Sequence, residues 1–497
     1  MLRFTALFTS ILLLFALAVR AQSSARGRVS GASASDSLET LRASPPRFNI
    51  LRTRDDFSYL VGGATRNDLF DPIKYIPLGK SDEMYLTLGG EMRHQYQLFI
   101  NERWGALPNN IEDHTGHWLQ RYMLHANVQL GRHVRLFAQF KNGTIIGRRG
   151  GPRPQIDKDE LGVHQGFIDL IGYVGPSKLT LRVGRQEFLY GAERTITMRE
   201  GPNVRLSFDA VRLIADWPKT KVDAFIAQPV LIAPYVFDDR RATDETMWAL
   251  YSVHYLTATR SNLDLYYIGQ ERLNAAYNQG VAYELRHTFG ARFWEQDGPF
   301  NYNIELIGQI GEFGEGNVRA FYAASEVAYT FPGAWKPTIQ MTNNLISGDN
   351  DPTDPDLQTF NPMYPRPFFG LAAPIGPSNL MDIHPQFQLT PTEAMSLSVG
   401  ADFLWRYSTR DGIYSPAVVQ SRPQPPPPPE RGNDQIILLD SEERYTGLQL
   451  TLSYQYLLSP HWTLRLDAAY FPAGPFIRET GVGDNLFYLA PQLTFKF

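Results

Sequence analysis

Leu86-Thr87-Leu88-Gly89-Gly90-Glu91-Met92-Arg93-His94-Gln95 sorts its side chains by parity. Strand residues alternate between faces, so Leu86, Leu88 and Met92 share one side while Thr87, Glu91, Arg93 and Gln95 take the other. One side is oily and the other wet. The division recurs in Leu179 to Gln186, Phe300 to Ile310 and Leu448 to Tyr456, and in Leu397 to Arg406, where Leu397, Val399, Ala401, Phe403 and Trp405 oppose Ser396, Ser398, Asp402 and Arg406. A last segment sets Phe487, Leu489, Leu493, Phe495 and Phe497 against Tyr488, Gln492, Thr494 and Lys496. About eighteen such segments succeed one another, many near the roughly 10 residues of a tilted membrane strand.

The links between segments differ in length by turns. Gly131-Arg132-His133, Gly172 to Lys178, Pro218-Lys219-Thr220, Pro332 to Trp335, Pro391 to Ala394 and Ser459-Pro460-His461 are short. Asn101 to His117, Asn142 to Gly162, Gly191 to Ser207, Pro229 to Thr246, Ser347 to Asn379 and Ser408 to Arg444 are long. Short turns at one rim and extended loops at the other are the habit of outer-membrane barrels. A soluble sandwich or propeller shares the alternation but has no reason for such links, and no repeat of 20 to 50 residues is visible by eye. The fold expected is all-β, a transmembrane antiparallel barrel of about eighteen strands with short periplasmic turns and long extracellular loops.

The start of the chain agrees. Residues 1–21 carry Arg3, an apolar run from Phe4 to Val19 and a small residue at Ala21, which is the pattern of a cleaved signal peptide. The run is shorter than the roughly 20 residues a spanning helix requires, and no second long apolar stretch follows. Residues 22–73 read as a flexible periplasmic leader, rich in Ser, Ala, Gly and Arg as far as Pro46, with a short ordered part expected near Phe57 to Leu60 and again at Lys74 to Leu78. Residues 74–497 form the barrel domain.

Composition removes several alternatives. The 497 residues have 47 Lys plus Arg against 51 Asp plus Glu, a net charge of −4, so no broad basic field invites nucleic acid. Cysteine is absent, which excludes disulfides, thiol catalysis and thiolate-bound metals. Phe, Tyr and Trp make up 13% of a chain whose mean hydropathy is −0.28, a heavy aromatic load suited to an interfacial girdle.

Tyr85 to Arg93, preceded by Lys74-Tyr75-Ile76-Pro77-Leu78, resembles the opening of the alginate export family of bacterial outer-membrane porins. Arg182-Val183-Gly184-Arg185-Gln186-Glu187-Phe188-Leu189-Tyr190-Gly191, with Asn203, Arg205 and Phe208-Asp209, is similar to that family's central motif. Ser347-Gly348-Asp349, Thr359-Phe360-Asn361-Pro362-Met363-Tyr364-Pro365 and Asn379-Leu380 resemble its long-loop motif. The resemblance runs from about 74 to 497. It implies an 18-stranded barrel in the outer membrane with an arginine-rich, electropositive pore.

A barrel of this width takes its selectivity from charged residues on its inner wall. Alternation assigns Arg93, Arg121, Arg135, Lys141, Arg182, Arg292, Arg406 and Arg465 to that wall, with Glu91, Asp169, Glu305, Glu326, Asp402 and Asp467 among them. A ladder of cations moderated by carboxylates suits an anionic polysaccharide, because unbroken guanidinium forks would trap it. The expected function is passive export or diffusion of an alginate-like polyanion or its oligosaccharides, with outer-membrane lipid as surroundings and periplasmic export proteins as partners. A porin for small anionic or neutral solutes is the alternative. An enzyme using Asp402 and Glu305 as acid and base is a minor one.

No cofactor or metal is implied. The Asp349, Asp351, Asp354 and Asp356 loop has Asp354 where a calcium loop needs Gly and Phe360 where it needs Glu. Gly79-Lys80-Ser81 lacks the leading Gly of a phosphate loop, and neither HExxH nor GxSxG occurs. Pro425 to Pro429 reads as an extended run in an outer loop.

Overall fold

The computed structural model describes residues 48–61, 68–106, 114–256, 260–366, 372, 374–424 and 439–497. The expected signal peptide, most of the leader and the polyproline run lie outside the described residues. Eighteen strands build the wall: β1 (Met84–Ile100), β2 (His114–Leu130), β3 (Val134–Ile146), β4 (Asp159–Val174), β5 (Ser177–Gln186), β6 (Phe208–Trp217), β7 (Thr220–Leu231), β8 (Glu245–Leu256), β9 (Ser261–Tyr277), β10 (Gly280–Glu295), β11 (Phe300–Phe313), β12 (Gly316–Thr330), β13 (Thr338–Ile346), β14 (Leu380–Thr392), β15 (Met395–Trp405), β16 (Tyr445–Leu457), β17 (Trp462–Phe471) and β18 (Leu486–Lys496). Each pairs antiparallel with its sequence neighbours, and β18 returns to β1 through Glu91 opposite Lys496 and Arg93 opposite Thr494, so the sheet closes without an edge. Closure matters because an open edge in hydrocarbon leaves backbone groups unpaired at several kcal/mol each.

The wall is inverted relative to a water-soluble protein. Leu124, Leu250, Phe289, Leu306 and Leu450 stand exposed on the outside, whereas Arg121, Arg286 and Arg292 are among the largest side chains with almost no exposure. Period two sends apolar residues to lipid and polar ones inward, as parity requires.

The alternation of link lengths is less strict than expected. At the rim of long loops, β9–β10 and β11–β12 are joined by only Asn278-Gln279 and Gly314-Glu315. Gly314 has φ +57, the conformation that a two-residue hairpin turn demands at its first position. These strands are tall, at 17, 16, 14 and 15 residues, so the hairpins rise well beyond a membrane-spanning length and need no loop above them.

Part of the leader is built into the molecule. Residues 48–61 and 68–77 fold against the short-turn rim, where Phe48, Phe57, Leu60 and Tyr75 form a small apolar cluster and Ile76–Pro77 pairs with β1.

Candidate channel lumen

Most inward-facing arginines on β1 to β12 are held by acids. Arg121 on β2 forms an ion pair with Glu91 on β1. Arg182 on β5 grips Asp169 on β4 through two bonds, 2.7 and 2.9 Å, and the same carboxylate lies 3.7 Å from Arg135. Arg135 also donates to Asn127 Oδ1 at 2.6 Å. Arg292 on β10 donates to Asp264 Oδ2 at 3.0 Å, and Asp264 is further served by Tyr251 and Trp294 at 2.7 and 2.8 Å. Bidentate and shared pairs of this kind fix geometry, and they use up the cation.

Two loops that enter from the long-loop rim complete this half. The segment 187–207 turns inward: Arg194 reaches Glu305 on β11 at 2.9 Å, while Arg93 donates to the carbonyls of Glu200, Gly201 and Pro202 at 2.9, 3.3 and 2.7 Å. Arg205 bridges Glu187, Glu91 and Glu200. Burial alone would raise the Glu200 carboxyl, yet Arg121 and Arg205 outweigh it and hold the group down at about 2. Asn203 donates to the carbonyls of Gln120, Thr144 and Asp157, pinning the loop to β2 and β3. Gly191, at φ +53, lies where a Cβ would stand 2.5 Å from the Tyr251 hydroxyl, so only glycine allows this approach. The segment 347–366 follows it in: Tyr364 N donates to Thr195 O at 2.8 Å and Thr197 N to Tyr364 O at 3.0 Å. Asn361 bonds Gln270, and Gln309 holds both the amide and the carbonyl of Asn361.

The other half, β13 to β18, is different at the short-turn end. There the inward residues are Gln386, Gln388, Ser396, Ser398, Thr451 and Gln455, all half-exposed and uncharged. On its border Arg465 of β17 keeps 40% of its side chain exposed, 2.8 Å from Asp467. Arg366, on the infolded loop, lies 3.6 Å from Glu193 with a quarter of its side chain exposed. Burial holds the Arg366 pKa down; Glu193 opposes this and the charge of Arg465 reinforces it. Toward the outer rim the same strands bury Asp382, Asp402 and Gln449; among the described residues neither carboxylate oxygen of Asp402 has a hydrogen-bond partner, and His384 stands 4.0 Å away.

Arg406 lies one residue past β15. Its guanidinium donates to the carbonyls of Thr409, Asp411, Ser441 and Glu443 and stacks over Phe476, which ties the outer loop to the barrel. In the loop after β13, Asp349 is buried with its amide on Asp411, Asp351 and Asp354 accept bonds from the backbone amides two residues on, and Asp356 accepts one from the Asn317 amide of β12. Among the described residues no group of three or more His, Asp or Glu is arranged to hold a metal ion.

Residues 84–486 match the family model for alginate export. The chain belongs to the alginate export family. Its fold is shared with Pseudomonas aeruginosa outer-membrane proteins: OccK11 (TM-score 0.51, 9% identity, 83% of this chain and 96% of that one), OccK2 (0.52, 9%, 84% and 99%) and OpdK, solved with vanillate (0.51, 10%, 82% and 98%). No curated protein matches the sequence. This alginate export family member is therefore an outer-membrane channel, with the family and fold of a porin and not of an enzyme. Of the residues that carried the resemblance, Asn203, Arg205, Asn361, Tyr364 and Asn379 anchor the infolded loops; Asn379 alone donates to Ser408, Asp411 and Gly412. Sequence reasoning missed Arg194, Glu200 and Arg366, which lie in loops without periodicity and find partners on distant segments, Glu305 for Arg194 and Arg121 for Glu200.

Proposed function

We propose that the channel passes anionic, hydroxyl-rich carbohydrates, namely acidic oligosaccharides and, when the passage is widened, an alginate-like strand. What supports the reading is a pair of lumen cations, Arg366 and Arg465, that keep about a quarter and 40% of their side chains exposed although each has an acid beside it, together with the wall of Ser, Thr and Gln on β13 to β18. A sugar acid needs both features: guanidinium groups for its carboxylate, and amides and hydroxyls that exchange bonds with its ring hydroxyls without holding it. Family membership supports the same substrate class. The ion pairing elsewhere favours the alternative of small neutral solutes, since paired arginines offer a passing anion little.

Planar-bilayer recordings separate the two. The wild-type channel is expected to prefer anions and to be blocked by oligouronates more strongly than by neutral oligosaccharides of equal length. Arg366→Gln with Arg465→Gln is expected to reduce both effects. Raising salt should mask the difference, because screening limits an exposed charge to about 8 Å near physiological ionic strength. Equal block by neutral and acidic sugars, unchanged in the double variant, overturns the anionic reading.

A further inference from the structure

Residues 48–61 sit inside the short-turn mouth. Leu51, 4% exposed, packs on Leu189 and Met198, which belong to the loop that descends from the opposite rim. Arg52, 3% exposed, donates to Gly90 O at 2.8 Å and Phe497 O at 2.7 Å, the seam where β1 meets β18, and is braced by Asp55 at 2.8 Å. Two arginines reach the same segment: Arg135 of β3 donates to Thr53 O at 2.8 Å, and Arg205 of the infolded loop to Ile50 O at 3.4 Å. Segment and loop thus meet end to end inside the barrel.

We propose that residues 48–61 are a removable stopper that sets the width of the channel. The segment belongs to no sheet. Its holds around Ile50 to Arg54 include Leu51, with Ile50 packed beside it, and guanidinium-to-carbonyl bonds whose groups water can satisfy once the segment leaves. Withdrawal strips Leu189 and Met198 of their cover and frees Arg135 and Arg205 from the carbonyls they hold, so the inner loop loses its floor and the passage widens toward β1 to β7. The stopper rests on the channel reading alone and not on the charge of the solute.

The chain contains no cysteine, so an engineered pair reports cleanly. In Leu51→Cys/Leu189→Cys, oxidation is expected to lock the small-conductance state, and reduction to restore openings at least about twofold larger, since conductance follows the open cross-section. Deleting residues 48–61 is expected to give the larger state permanently and to admit larger neutral sugars in liposome swelling. Identical conductance of wild type, oxidised pair and reduced pair overturns the stopper, whether or not the deletion variant assembles. Ion preference plays no part in this readout, so its failure leaves the proposed anionic selectivity standing.

Discussion

The two halves of the lumen share a wall and differ in what their polar groups do. On β1 to β12 the charges are numerous and committed: Arg292 to Asp264, Arg182 to Asp169, Arg194 to Glu305. On β13 to β18 at the short-turn end charges are few and the amides and hydroxyls are half-exposed. An arginine on a channel wall is not thereby an arginine offered to a solute. In the first half the ion pairs position two loops and act as structure; in the second the neutral surface stays available.

The contrast can be broken by substitution. The largest effect is expected in the committed half: Arg292→Gln leaves the buried Asp264 carboxylate without its cation and should cost about 3–5 kcal/mol, read as a lower urea midpoint for the folded barrel in detergent. A cost below about 1 kcal/mol would mean that the pair is hydrated and the halves are alike. Next comes the lipid face, where Leu450→Arg should cost roughly 2–4 kcal/mol near the midplane and reduce outer-membrane levels without altering the selectivity of channels that do assemble.

Acidity sharpens the comparison at the outer rim. Burial pushes the Asp349 carboxyl up to about 6, with Asp411 adding to the rise against a bond from the Asp351 amide, and burial likewise raises Asp411. A carboxyl raised on folding holds its proton more tightly when folded, so its contribution is complete below the ordinary value of 3.8 and is lost as pH climbs through about 6. Amide protection in 347–361, taken relative to the intrinsic exchange rate at each pH, should therefore rise as pH falls from 7 to 5, and Asp349→Asn should abolish the rise. Protection that falls on acidification would reverse the assignment. The smallest effect belongs to the open half: Gln388→Glu should alter stability by no more than about 0.5 kcal/mol while lowering anion preference in bilayer recordings. A large loss of stability there would show that the neutral wall is packed and not wet.

Much of the barrel is legible in parity. Leu450, Val399 and Phe403 face outward and Glu91, Arg93 and Asp402 inward because a pleated strand can do nothing else once one side must meet hydrocarbon. The infolded loops are not legible in the same way. Glu193, Arg194 and Glu200 read like residues of any solvated loop, and the Arg194 partner Glu305 lies 111 positions away. Link length misled in one respect, since tall hairpins at Asn278-Gln279 and Gly314-Glu315 turn tightly at the rim where long loops were expected.

The sequence by itself determined the strands, their inner and outer faces and the closed antiparallel wall, because a two-residue period and the absence of any water in lipid leave few other arrangements. Only the tertiary structure decided which charges are neutralised, that two loops and residues 48–61 enter the barrel, and that one side of the lumen stays wet. Those outcomes depend on side chains from distant segments competing for the same carboxylates and carbonyls, and that competition is settled by closeness in space, which spacing along the chain does not encode.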